Sequence, residues 1–212
     1  RRMHQAGCIP ACHSTGVIVR LAPLRMNMQH KKTITLALGG ARSGKTAWAE
    51  NHALSLAEKG TGATVKPCYL ATGQAFDDEM KARINRHRAL RADRFETLEE
   101  AHDIASVIAS RHGGEVVLVD SVGTWITNLM LADADIRSAA DQTLNAVEET
   151  AASVVFVSDE TGLGIVPENA MARAFRDHIG DFNQRLAAMA DEVRLLVAGI
   201  PMTIKTSSHK DL

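Results

Sequence analysis

Gly39-Gly40-Ala41-Arg42-Ser43-Gly44-Lys45-Thr46 has the spacing G-x-x-x-x-G-K-[ST] of a phosphate cradle. Consecutive backbone N–H groups can wrap phosphate oxygens only where side chains stay clear, hence glycine at both ends of the loop. In that geometry Lys45 bridges the β- and γ-phosphates as a point charge. Thr46 Oγ ligates Mg²⁺, and a helix opening there adds the positive end of its dipole. The chemistry is binding of a nucleoside triphosphate with Mg²⁺. Asp120 closes another apolar run, at 115–119, where a second carboxylate for the metal belongs. It either reaches Mg²⁺ through water, contacts a hydroxyl, or merely caps a helix beginning at Ser121.

A second constellation follows Ala71-Thr72-Gly73, which ends the run 65–71. Three acids, Asp77, Asp78 and Glu79, open a helical pattern in which Met80, Ile84 and His87 share a face. Arg83 and Arg91 lie one turn either side of His87. Two cations favour neutral imidazole, and a neutral imidazole beside a polyphosphate is a competent nitrogen nucleophile. The same spacing also suits an amphipathic helix with a half-buried histidine and a solvated arginine face. A cradle alone does not choose among kinases, motors and switches. No N-K-x-D base-reading loop of a GTPase switch occurs.

The elements that must hold these residues are strands over 33–38, 65–71, 115–119, 153–157 and 193–198. They alternate with helices over 45–59, 77–92, 98–112, 135–151 and 167–190. Strands apolar on both faces belong to a buried parallel sheet, and the alternation predicts an α/β domain with helices on both faces. Right-handed crossovers then bring every strand end, and the loop after it, to one rim. The chain of 212 residues suits one domain. Lys plus Arg number 24 against 25 Asp plus Glu, so nothing pulls the chain toward nucleic acid or an anionic membrane. No run reaches the roughly 18 apolar residues of a membrane span. Three cysteines, Cys8, Cys12 and Cys68, are too few for a disulfide framework and point to a reducing, cytoplasmic compartment. Residues 1–32 lack periodicity and read as a leader or an upstream extension. Cys8-x3-Cys12-His13 within them has poor zinc spacing. The expected domain is 33–205, with 206–212 a frayed tail.

Beyond the cradle, ordered blocks carry a resemblance: Tyr69-Leu70-Ala71-Thr72, Asp78-Glu79-Met80-x-x-Arg83-Ile84-x-x-His87-Arg88 and Thr97-x-Glu99. Asp120 with Trp125-Ile126-Thr127-Asn128 follows, then Ser158-Asp159-Glu160-Thr161-Gly162-x-Gly164-Ile165-Val166-Pro167. Arg173-x-Phe175-Arg176-Asp177-x-x-Gly180-x-x-Asn183-Gln184, Ala198-Gly199-Ile200-Pro201 and Lys205 complete the series. Over 33–205 the chain resembles the bifunctional adenosylcobinamide kinase / adenosylcobinamide-phosphate guanylyltransferases of cobalamin biosynthesis.

The resemblance implies a RecA-like P-loop fold, a trimer, and two reactions. ATP or GTP phosphorylates the aminopropanol hydroxyl of adenosylcobinamide. GTP then donates GMP to that phosphate through a covalent histidine, at the position of His87, releasing pyrophosphate. It implies a nucleotide site made of 39–46, Ala71, Thr72, Gly73, Arg88, Ala89, Leu90, Arg91, Glu99 and Asp120. The alternatives are a P-loop small-molecule kinase without guanylyl transfer, and a non-catalytic nucleotide switch. Three positions depart from the family: Gly73 stands where Ser is often found, Phe95 where Trp is common, and Asp159 where Asn is frequent. Glu160 and the Gly162/Gly164 turn are expected to shape the corrinoid side or the subunit contact.

Overall fold

The structure is a computed structural model that describes residues 31–61, 65–73 and 93–207. An interior strand of its sheet is β1, Ile34–Gly39, which is buried along almost its whole length. A strand with apolar residues on both faces must be covered from both sides, and two hydrophobic clusters do this. On one side α1, Lys45–Thr61, lays Ala49, Ala53, Leu56 and Ala57 against Ala37, Val155 and Val157. The small side chains bring the helix close to the sheet.

Among the described residues four more helices follow: α2 Ile104–Ala109, α3 Val122–Leu131, α4 Ile136–Glu149 and α5 Ala170–Met189. Their residues Ile108, Trp125, Leu144, Phe182 and Leu186 join the larger cluster with Leu36 and Phe156. Phe182 meets Trp125 and Phe156 edge-on, with ring centroids 5.3 and 6.1 Å apart, an arrangement that adds to simple burial.

The remaining strands are β2 Cys68–Ala71, β3 Glu96–Glu99, β4 Val116–Asp120, β5 Ser153–Asp159, β6 Glu192–Val197 and β7 Ile200–Lys205. They form one seven-stranded sheet in the order β3-β2-β4-β5-β1-β6-β7. Every pairing is parallel except β6 with β7. This is the mostly parallel α/β P-loop fold that the alternation and the resemblance predict. β5 separates the cradle strand β1 from β4.

Three elements differ from expectation. The helix expected over 98–112 is instead β3 followed by α2. Glu96 to Glu99 pair in register with Cys68 to Ala71, and α2 starts only after its N-cap Asp103 accepts from Ser106 N at 3.1 Å. Hydrogen bonds from the Ser106 hydroxyl and amide hold the Asp103 carboxyl below its ordinary range. α3 was not anticipated because it is buried nearly all round, Val122, Gly123, Trp125, Ile126, Asn128 and Leu129 included, so it has no polar face to reveal a helical period. β7 contains Pro201, which a central strand excludes and an edge strand tolerates. Ala198 and Gly199, at φ 52° and 81°, form the two-residue turn that folds it back on β6. The helix expected over 77–92 lies outside the described residues.

Candidate nucleotide site at the carboxyl rim of the sheet

Parallel pairing sets the ends of five strands in a row. Glu99 pairs with Ala71, Ala71 with Asp120, and Gly39 with Asp159, while Asp120 sits beside Val157, two residues before Asp159. Reading along the rim, the order is Glu99, Ala71, Asp120, Asp159, Gly39. With strands about 4.8 Å apart, Asp120 lies about 10 Å and Glu99 about 19 Å from the end of β1.

The loop after β1 is fixed by its own backbone and by the β6–β7 turn. Ser43 N donates to Gly40 O at 3.2 Å, and Gly199 N donates to Ser43 O at 2.8 Å. Gly44 has φ 89°, a conformation that suits glycine, and a Cβ there would come within 3.1 Å of Gly199 Cα. Arg42 also sits at positive φ, 56°. Gly40, Ala41, Arg42 and Gly44 are exposed, while Lys45 and Thr46 are half-buried in the first turn of α1. First-turn amides have no partner inside their own helix, so this loop presents donors to an anion. The buried Ser43 hydroxyl has no hydrogen-bond partner.

Gly39 is held by contact. A Cβ there would lie 2.4 Å from Ser43 Oγ and 2.8 Å from the Leu196 carbonyl oxygen, which is backbone and cannot swing away. Gly39→Ala is therefore expected to push the cradle off β6, at a strain of about 1–3 kcal/mol. For a chain this size that lowers the melting temperature by roughly 3–10 °C, and GTP binding should weaken about tenfold. A thermal melt with a nucleotide titration checks this. Wild-type melting and affinity in the variant would mean that the loop is not braced at this point.

Lys45 reaches across the loop. Its Nζ donates to Gly40 O at 3.1 Å and pairs with Asp159 Oδ1 at 2.7 Å. Asp159 is the site residue that sequence reasoning missed. It ends an apolar strand as Asp120 does, and that shared position was the available signal. Its backbone is locked: Asn183 Nδ2 donates to Asp159 O at 3.2 Å, and the Ser158 hydroxyl donates to Asn183 Oδ1 at 2.6 Å. Its carboxylate lies against α3, where a Cβ on Gly123 would sit 2.4 Å from Oδ2.

Asp120 is the last residue of β4, and its carboxylate accepts from the Tyr69 hydroxyl. It does not cap the following helix. Ser121 does, accepting from Thr124 N at 3.3 Å. Thr72 is fully buried with its polar groups turned inward. Its hydroxyl donates to Ser121 O and accepts from Ser121 N, both at 2.9 Å, and its amide donates to Asp120 O. Asn128 Nδ2 donates to Thr72 O at 2.7 Å and to Ala101 O at 3.1 Å, tying the β2 and β3 loops to α3. Thr72 thus braces the rim, while half-buried Ala71 packs against the core cluster under α1 and Gly73 is exposed. Glu99 lies at the far edge of the row. His87, Arg88, Ala89, Leu90 and Arg91 lie outside the described residues.

One chemistry is disfavoured here. Burial pushes the Cys68 thiol up to about 11, so it packs rather than attacks. Among the described residues no three His, Cys, Asp or Glu side chains converge to hold a metal. The oxygen donors at the cradle instead suit Mg²⁺, which is commonly bound by one or two carboxylates together with substrate phosphates.

Comparison with known proteins agrees with this geometry. A sequence model described as cobinamide kinase / cobinamide phosphate guanyltransferase matches residues 35–204. The bifunctional adenosylcobalamin biosynthesis protein CobP of Pseudomonas aeruginosa is 40% identical over 173 residues, covering 80% of this chain and 96% of the relative. The bifunctional adenosylcobalamin biosynthesis proteins CobU of Escherichia coli and Salmonella typhimurium are 41% and 39% identical over 186 residues, each covering 80% of this chain and 98% of the relative.

Proposed function

The chain belongs to the cobinamide kinase / cobinamide phosphate guanyltransferase family, and on that premise we propose that one nucleotide cradle serves two successive reactions. In the first, ATP or GTP phosphorylates the aminopropanol hydroxyl of adenosylcobinamide. In the second, a ring nitrogen of His87 attacks the α-phosphorus of GTP. An N–P bond forms, the bond to the β-phosphate oxygen breaks, and pyrophosphate leaves. The phosphate of adenosylcobinamide phosphate then attacks the same phosphorus, the N–P bond breaks, and adenosylcobinamide-GDP is released with the imidazole restored.

The observation that carries this reading is Lys45, held across the mouth of the cradle at the end of the row that also bears Asp120 and Asp159. Transfer to or from a phosphate asks the protein mainly for positioning and for charge where negative charge develops. The loop amides and Lys45 hold the β- and γ-phosphates, which is what a leaving pyrophosphate needs. Thr46 and Asp120 offer oxygen donors for Mg²⁺, which when bound neutralises the phosphate oxygens. Ala71, Thr72, Gly73, Glu99 and the segment Arg88, Ala89, Leu90 and Arg91 extend the site from the phosphates toward the nucleoside. The catalytic unit is 33–205.

The chain acts in the cytoplasm as a homotrimer. Among the described residues no helix is long and apolar enough to cross a membrane. The edge strand β7 exposes Ile200, Met202 and Ile204, and the loop after β5 exposes Leu163 and Ile165. An open apolar edge of this kind supports self-association.

Incubation with α-³²P-labelled GTP followed by denaturation tests the chemistry. Acid-labile label retained on the protein is expected. Cobinamide phosphorylation without retained label identifies a small-molecule kinase alone, and absence of both identifies a nucleotide-binding switch.

A further inference from the structure

Beside the cradle, under the chain that leaves β5 and against α5, lies a cavity of about 510 Å³. It adjoins the phosphate site through the backbone. Leu38, which lines it, immediately precedes Gly39, and Glu160, which also lines it, donates its amide to Gly39 O at 3.2 Å. The residue before Glu160 is Asp159, the partner of Lys45.

Inside this cavity Arg176 is incompletely satisfied. Its Nη2 donates to Gly162 O at 2.7 Å, but its Nη1 is buried with no partner. A buried guanidinium N–H without an acceptor is costly to leave so, and it points to an oxygen supplied from outside the chain. The rest of the lining narrows the choice. Glu160, Asp177 and Asp181, the last paired with Arg185 at 3.7 Å, line it with one arginine, a net negative wall that repels a phosphate. It suits a ligand that is neutral or cationic overall and carries both carbonyl oxygens and N–H groups. Primary carboxamides have that pattern: the oxygen accepts from Arg176, and the nitrogen donates to a carboxylate.

We propose that this cavity binds the carboxamide-bearing edge of the corrinoid acceptor, with Arg176 Nη1 donating to an amide oxygen. The assignment rests on the function proposed above and names where its acceptor docks. It places the corrin edge next to the strand ends that hold the triphosphate, so the aminopropanol arm needs to extend only along the rim.

Two variants of the full chain test it, read by equilibrium dialysis of adenosylcobinamide without nucleotide and by labelling from α-³²P GTP without acceptor. Arg176→Met removes the donor, and Gln184→Trp fills the cavity from the exposed side of α5, about two helical turns from Arg176. Each is expected to weaken corrinoid binding by at least about tenfold, with labelling within about twofold of wild type. Arg176 also anchors the loop at Gly162, so weakened binding in Arg176→Met alone overturns the cavity assignment, as does wild-type binding in both variants. A wild-type chain that takes label but binds no corrinoid overturns this site and leaves the nucleotide chemistry standing. A chain that neither takes label nor phosphorylates cobinamide overturns the function and the site together.

Discussion

Lys45→Ala is expected to lower kcat/KM of both the kinase and the guanylyl-transfer reaction by about 10²–10³-fold, the usual cost of removing one preorganised charge or donor from a phosphoryl or acyl site. Both reactions should fall together on the proposal that one loop after β1 holds the triphosphate in each. The loss is more than a missing attraction. The ammonium pairs with Asp159 at 2.7 Å, so its removal leaves that carboxylate unopposed beside incoming phosphates. Asp159 cannot easily retreat, since its backbone is tied to Asn183 and its side chain lies against Gly123. The double variant Lys45→Ala/Asp159→Asn should therefore recover about tenfold of the lost GTP affinity. Asp159→Asn alone should tighten GTP binding, by freeing Lys45 from a competing anion. Steady-state kinetics of each reaction with a nucleotide titration separate these effects. Full kinase activity in Lys45→Ala, with only guanylyl transfer lost, would mean two nucleotide sites rather than one.

The parts of this site that were legible in sequence are those whose physics is local. The cradle is a contiguous run with its own steric logic, and β1, β4 and β5 are apolar on both faces, as a covered parallel strand must be. What escaped was decided by pairing and burial across the chain. Glu96-Thr97-Leu98-Glu99 has a helix-forming composition, yet a four-residue edge pairing with β2 overrides that weak local preference. α3 shows no amphipathic period because the sheet, α4 and α5 enclose it. The resemblance makes Thr72 part of the nucleotide site, and the fold adds that its hydroxyl bonds to the backbone of Ser121. Asp159 was visible as a departure from the family but not as the partner of Lys45, because β5 becomes the neighbour of β1 only once strand order is known. The same order puts two aspartates rather than one on the rim: β5 lies between the cradle strand and β4, so each strand ends there with a carboxylate.

His87→Ala should separate the two reactions that Lys45→Ala joins. Guanylyl transfer is expected to drop by at least about 10³-fold, since a covalent route loses its nucleophile, while cobinamide phosphorylation should stay within about threefold of wild type. The asymmetry follows from the bonds involved. In the kinase step the acceptor oxygen attacks the γ-phosphorus directly, and nothing on the protein needs to carry phosphate. In guanylyl transfer the attacked atom is the α-phosphorus, with pyrophosphate as leaving group, and on the proposed covalent route a nitrogen holds GMP until the acceptor phosphate arrives. The variant should retain no label from α-³²P GTP after denaturation and release no pyrophosphate burst. His87→Gly supplied with free imidazole should regain part of the transfer, because a small nitrogen base can occupy the space and form the same N–P bond. Retained label in His87→Ala would place the nucleophile elsewhere, and an equal loss of kinase activity would make His87 a positioning residue for the triphosphate instead of its carrier. The rescue distinguishes these in a second way: imidazole restores an absent nucleophile but has no means of restoring a displaced positioning group.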